Sequence, residues 1–112
     1  MAEQEKQSRV EWTETAETQF FEVLEYWTER NGSTAYAEKL SNAVWNRTEF
    51  LSKNPLASIE TDFPDTRKAA MGHYSILYKV TEGGIMITSF WDNRQDPKKL
   101  HKVLKQNRNK GK

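Results

Sequence analysis

The chain of 112 residues contains no cysteine. That excludes disulfides, thiolate metal sites and a thiol nucleophile, and it fits a reducing cytoplasm. Prolines number three and glycines five, so each break in the pattern carries weight. No apolar run approaches the roughly 18 residues of a membrane span. The opening Met-Ala-Glu-Gln-Glu-Lys-Gln lacks the apolar stretch of a secretory signal. No membrane partner is expected, and the expected compartment is the cytoplasm. Histidine is limited to His73 and His101. Asp65, Asp92 and Asp96 match no established ligand spacing, so neither a metal nor a cofactor is expected.

What the chain does have is charge, unevenly placed. The net charge is only +1, yet residues 1–63 carry six Lys/Arg against twelve Asp/Glu, and residues 92–112 carry eight against two. An acidic first half and a basic end fit a solvated tail. They also fit a surface that meets an anionic partner.

Periodicity divides the chain. Residues 1–8 are polar and expected to be disordered. Arg9 to Trp12 alternates and suits a short strand. Thr13 is a candidate helix cap, followed by a stripe of Ala16, Phe20, Val23, Leu24 and Trp27 at helical spacing. Asn31-Gly32 is a stop signal. Ser33 is then the expected cap of a second helix, with Ala37, Leu40, Val44 and Leu51 on its buried side and Asn54-Pro55 at its end. Two such helices joined by about two residues pack antiparallel.

The rest reads as strands. Residues 66–71 suit one strand. Tyr74, Ile76, Tyr78 and Val80 alternate with Ser75, Leu77, Lys79 and Thr81 in a second. Gly83-Gly84 marks a hairpin. Ile85 to Trp91 is apolar on both faces and is expected to be central. The run Ser89-Phe-Trp-Asp-Asn-Arg-Gln-Asp-Pro97 then turns abruptly polar at a strand end, where a sheet presents polar groups on a rigid support. Leu100, Val103 and Leu104 give Lys98 to Lys105 the apolar side of a short helix. The expected product is one α+β domain over residues 9–105 with a basic tail at 106–112. Its order is strand, two helices and a three-stranded antiparallel meander, with helices on one sheet face and the other face free.

Several pieces in this order carry a resemblance. They are Val10 to Thr13 leading into Ala16 and Phe20, Tyr26 to Ser33, Tyr36 to Leu40, Asn54-Pro55, Arg67, Gly72 to Tyr78, and Phe90 to Pro97. Together, over residues 9–100, they resemble the RelE/ParE toxin superfamily. The resemblance implies a growth-inhibiting toxin of a bacterial type II toxin–antitoxin system, neutralised by a cognate antitoxin. It implies a target such as gyrase, or the ribosome with mRNA. Ribosome-dependent mRNA cleavage is one alternative activity, and antitoxin binding without toxicity is another. The sequence departs from the mRNA-cleaving branch in three places. Ser75 rather than a basic residue follows Tyr74, Arg94 is the only arginine near the last strand end, and no tyrosine follows Tyr78.

Metal-free RNA cleavage needs a base, an acid and cations around the reacting phosphate. The candidate catalytic residues are Arg67, Arg94 and His73. Arg67 and Arg94 could clamp a phosphate together, or Arg67 could pair with Asp65 or Asp92. Lys68, Lys79, Arg94, Lys98 and Lys99 are candidates for binding a phosphate or a target. Tyr74 and Tyr78 are expected in the core with hydroxyls at its edge. Trp45 and Tyr36 are candidates for an antitoxin interface.

Overall fold

A computed structural model describes residues 8–110, with side chains through Lys105. Ser8 aside, the expectation of disorder at the N-terminus concerns residues outside this range. The elements are β1 (Arg9–Trp12), α1 (Glu14–Asn31), α2 (Ala35–Lys53), β2 (Ile59–Glu60), β3 (Arg67–Met71), β4 (Tyr74–Thr81), β5 (Gly84–Asp92) and α3 (Pro97–Lys110).

Local chemistry sets the ends of the helical hairpin. The Thr13 hydroxyl accepts the Ala16 N–H at 3.1 Å, filling one of the orphan donors of the first turn of α1. Gly32 closes α1 at φ 65, a left-handed conformation that glycine adopts without strain. The second cap lies one residue later than expected. Thr34 precedes the helix, the Ser33 hydroxyl accepts the Ala35 N–H, and the Thr34 hydroxyl donates to Glu38. Ala16 and Phe20 from α1 meet Leu40, Val44 and Leu51 from α2, and together they cover Tyr74, Ile76, Tyr78, Ile85, Ile87 and Phe90 of the sheet.

The sheet has five strands in the order β1-β5-β4-β3-β2. The expected antiparallel meander is present as β3, β4 and β5. Two strands flank it. β2 pairs antiparallel with β3 over only two residues. β1 lies parallel to β5, with Val10 opposite Ile85 and Trp12 opposite Ile87. A Cβ on Gly84 would overlap the Arg9 carbonyl, so this close approach needs a glycine.

A bulge in β5 decides which side chains face which way. Leu77 lies opposite Ser89, but Tyr78 lies opposite Ile87, leaving Thr88 as the extra residue. The alternation changes parity there. Ile85, Ile87 and Phe90 all reach the hairpin core, while Trp91 turns to the opposite face beside Leu77.

That second face is not free, contrary to the expectation from sequence. Leu104, Leu100 and Val103 of α3, with Phe63, pack on Leu77 and Trp91. Covering a large apolar pair removes it from water at about 25 cal/mol per Å², which offsets the ordering of the helix. The helix also extends to Lys110, through most of the expected tail. No helix among the described residues is long and apolar enough to cross a membrane.

Candidate functional site

β1 covers only the first half of β5, from Gly84 to Ile87. Beyond Ile87 the outer edge of β5 runs between α1 on one sheet face and α3 on the other. A cleft of about 560 Å³ follows this edge. Its walls include Gln19, Val23 and Tyr26 of α1, Tyr74 of β4, Asp92 at the end of β5, Arg94 in the following turn, and Lys99 of α3.

Side chains complete the exposed backbone. Gln19 Oε1 accepts both the Phe90 N–H at 3.0 Å and the Ser89 hydroxyl at 2.9 Å. An unpaired strand donor is thus satisfied by the helix that packs on it. Ser75 Oγ bonds Asn93 Oδ1 at 2.7 Å, and Asn93 N–H donates to His73 O at 2.8 Å. The polar run after Trp91 is therefore fastened to the neighbouring hairpin.

Arg94 is held by Asp92. Its Nε and Nη2 donate to the two carboxylate oxygens at 2.9 and 2.8 Å, and its backbone N–H adds a third bond at 2.9 Å. This fork geometry is the preferred one for guanidinium on carboxylate. The hydrogen bonds from Arg94 hold the Asp92 carboxyl below its usual 3.8, and partial burial opposes them. The same bonds push the Arg94 guanidinium up, so it stays charged at all ordinary pH. The outward part of Arg94 remains exposed on the cleft rim. Beneath it, Trp27 Nε1 donates to the Tyr74 hydroxyl at 2.8 Å, leaving the Tyr74 proton to donate elsewhere.

Arg67 lies elsewhere and is differently engaged. Its guanidinium donates to the carbonyls of Leu56 (3.2 Å) and Ser58 (2.6 Å) and to Ser58 Oγ (3.1 Å), and it approaches Glu60 at 3.6 Å. It ties down the loop after α2 and pairs with neither Asp65 nor Asp92. Arg67 is opposite Tyr78, whereas Asp92 is opposite Tyr74. Four residues of strand separate the two ends by roughly 13 Å. Arg67 and Arg94 therefore do not converge on one phosphate. Lys79 shares the Arg67 end, in a second cleft of about 500 Å³. Lys68, opposite Leu77, faces the α3 side of the sheet. Lys98 and Lys99 open α3, and only Lys99 lines the strand-end cleft. His73 is exposed in the turn between β3 and β4, close enough for its charge to act on Asp92.

Tyr78 is fully buried in the core, as expected. Its hydroxyl donates to Pro55 O at 2.7 Å and also meets Ser58 Oγ. Trp45 is 71% exposed. It lies over an apolar cleft of about 360 Å³ between α2 and β1, floored by Val10, Trp12 and Val44. Tyr36 does not share that cleft; its ring stands edge-on to Trp27 at 5.1 Å. Sequence reasoning does not single out Tyr26 and Gln19 as site residues. With Glu22 they form a row at helical spacing beside the apolar stripe, and that row is the available signal.

An antiparallel helical pair thus lies on one face of the sheet, with a polar strand end between α1 and the last helix. The family model described as "ParE toxin of type II toxin-antitoxin system, parDE" matches residues 10–97. The chain belongs to that ParE toxin family. No curated protein matches the sequence. Among solved structures, the chain is similar to one described as "Chromosomal ParDE TA system from P. aeruginosa". The TM-score is 0.65 at 18% identity, covering 78% of this chain and 96% of that one. At that identity the likeness bears on the fold.

Proposed function

We propose that this ParE-family toxin inhibits growth by binding an essential target through the strand-end cleft, without hydrolysing it, and that a cognate antitoxin neutralises it. The observation that carries this reading is the separation of the cations. Arg67 and Lys79 lie at one end of the sheet and Arg94 with His73 at the other, and Arg67 already serves a loop. Acid–base cleavage needs these groups around one reacting atom. Binding needs only a rigid, charged rim, which the Asp92–Arg94 fork supplies. The similar solved structure is of a toxin–antitoxin system, which supports an antitoxin partner here. The apolar cleft under Trp45 is the surface we assign to it, because a large aromatic over an apolar hollow is a strong anchor site.

Growth inhibition at matched soluble expression tests the target surface. Arg94→Ala should weaken toxicity about ten- to hundredfold, the effect of one charge-assisted contact. His73→Ala should leave it unchanged, and cellular mRNA should stay intact. Loss of toxicity in the histidine variant alone would sink the binding reading and favour an acid–base enzyme. Co-purification with the product of the adjacent reading frame, weakened by Trp45→Ala, tests the antitoxin surface.

A further inference from the structure

We propose that the groove between α3 and the loop carrying Phe63 docks single-stranded nucleic acid. Lys98, His101, Lys102 and Lys105 recur at helical spacing along one side of α3. With Phe63 and Lys99 they line a shallow groove of about 470 Å³. The rise of an α-helix spreads Lys98 to Lys105 over roughly 10 Å, so the charges form a track along the groove. All these lysines are exposed, and among the described residues none has an ion-pair partner. Asp62 and Asp65 flank Phe63 in its loop, but neither lines the groove.

Two observations choose the occupant. Every permanent cation of the groove is a lysine. A carboxylate-rich peptide favours the bidentate arginine fork, whereas a phosphate backbone accepts lysine as a point charge. The floor is aromatic: Phe63 is half-buried against the α3 core, and His101 stands edge-on to it at 6.1 Å. A cationic track beside aromatic rings is what a single strand uses, with phosphates on the lysines and a base against the ring. A duplex keeps its bases stacked and offers the ring nothing. Lys99 lines both this groove and the strand-end cleft, whereas Lys98, Lys102 and Lys105 line this groove alone. The two surfaces can therefore be altered separately.

The test is fluorescence anisotropy of the purified full chain. The probes are labelled mixed-sequence RNA and DNA strands of about 20 nucleotides and the matching duplex, at salt from about 50 to 200 mM. The expected result is binding of the single strands with a log–log salt slope of about −2, from three lysine contacts. Lys98→Gln/Lys102→Gln/Lys105→Gln should abolish that slope. Phe63→Leu keeps the apolar packing but loses the stacking surface, and it should weaken binding about fivefold or more. Circular dichroism and melting establish that the variants are folded. Absence of binding by the unaltered chain would overturn the proposal. So would an unchanged slope in the triple variant, or duplex binding that Phe63→Leu does not affect. Binding of poly-glutamate in place of oligonucleotides would assign the groove to an acidic protein and also overturn it.

Discussion

At the level of single residues, charge is easy to find in the sequence and hard to assign. Arg67 and Arg94 look alike on paper. One fastens a loop through the carbonyls of Leu56 and Ser58, and the other is forked onto Asp92 at the rim of a cleft. The pairing of Arg94 with Asp92 has a local cause, because two residues of separation at a strand end favour a turn. The engagement of Arg67 was not legible, since backbone carbonyls of a distant loop leave no sequence signal. The Asp92–Arg94 pair also sets a pH dependence. The folded carboxyl titrates below its usual 3.8. A depressed carboxylate contributes stability that is complete above the ordinary value and is lost as pH falls through the folded one. The contribution should thus be intact at neutral pH and disappear in the acid range below about 4. Arg94→Gln should raise the Asp92 midpoint, read from its side-chain carboxyl signal by NMR. The variant's stability deficit in urea should shrink on acidification. An unmoved midpoint would mean that the fork does not hold the carboxylate in solution.

Secondary-structure elements divide by how local their causes are. α1, α2 and the β4–β5 hairpin follow from periodicity, caps and glycine turns, and all were legible. The bulge at Thr88 was not, because one extra residue becomes visible only against the register of the partner strand. Without it, Ile87 and Phe90 fall on opposite faces, and β5 reads as apolar on both sides. β2 has two residues and no pattern to read. β1 looked like a strand, but its place beside β5 depends on a contact between residues far apart in sequence. Gly84 permits that contact by having no side chain where the Arg9 carbonyl passes. Gly84→Ala should push β1 away from β5 and open the Val10 and Trp12 side of the core. The expected loss is on the order of 3 kcal/mol, at the upper end for a single substitution. Urea unfolding measures it. Amide exchange should show the loss of protection concentrated at Ile85 and Ile87. A loss under about 0.5 kcal/mol would mean that the two strands adjust without separating.

Across the whole molecule, the uneven charge of the sequence becomes a spatial polarity. α1 holds five glutamates and one arginine on one side of the sheet, and α3 holds six Lys/Arg and no acid on the other. The basic end was legible but its position was not, since the covering of the second sheet face depends on Leu77 and Trp91 meeting Leu104. The molecule therefore has two cores of unequal size. The larger lies under the hairpin and includes residues from α1, α2 and strands β3 to β5; the smaller lies under α3. Nothing in the larger core comes from α3, so a chain ending at Asp96 should keep the hairpin and sheet. It should also expose Leu77, Trp91 and Phe63 together, an apolar patch of the kind that drives association. The expected result is retained helical and sheet signal in far-ultraviolet circular dichroism. Binding of a hydrophobic dye should rise, with self-association that grows with concentration. Complete unfolding of the truncated chain would show that the second core is required for the first. A soluble monomer that binds no dye would show that Trp91 finds another cover once α3 is gone.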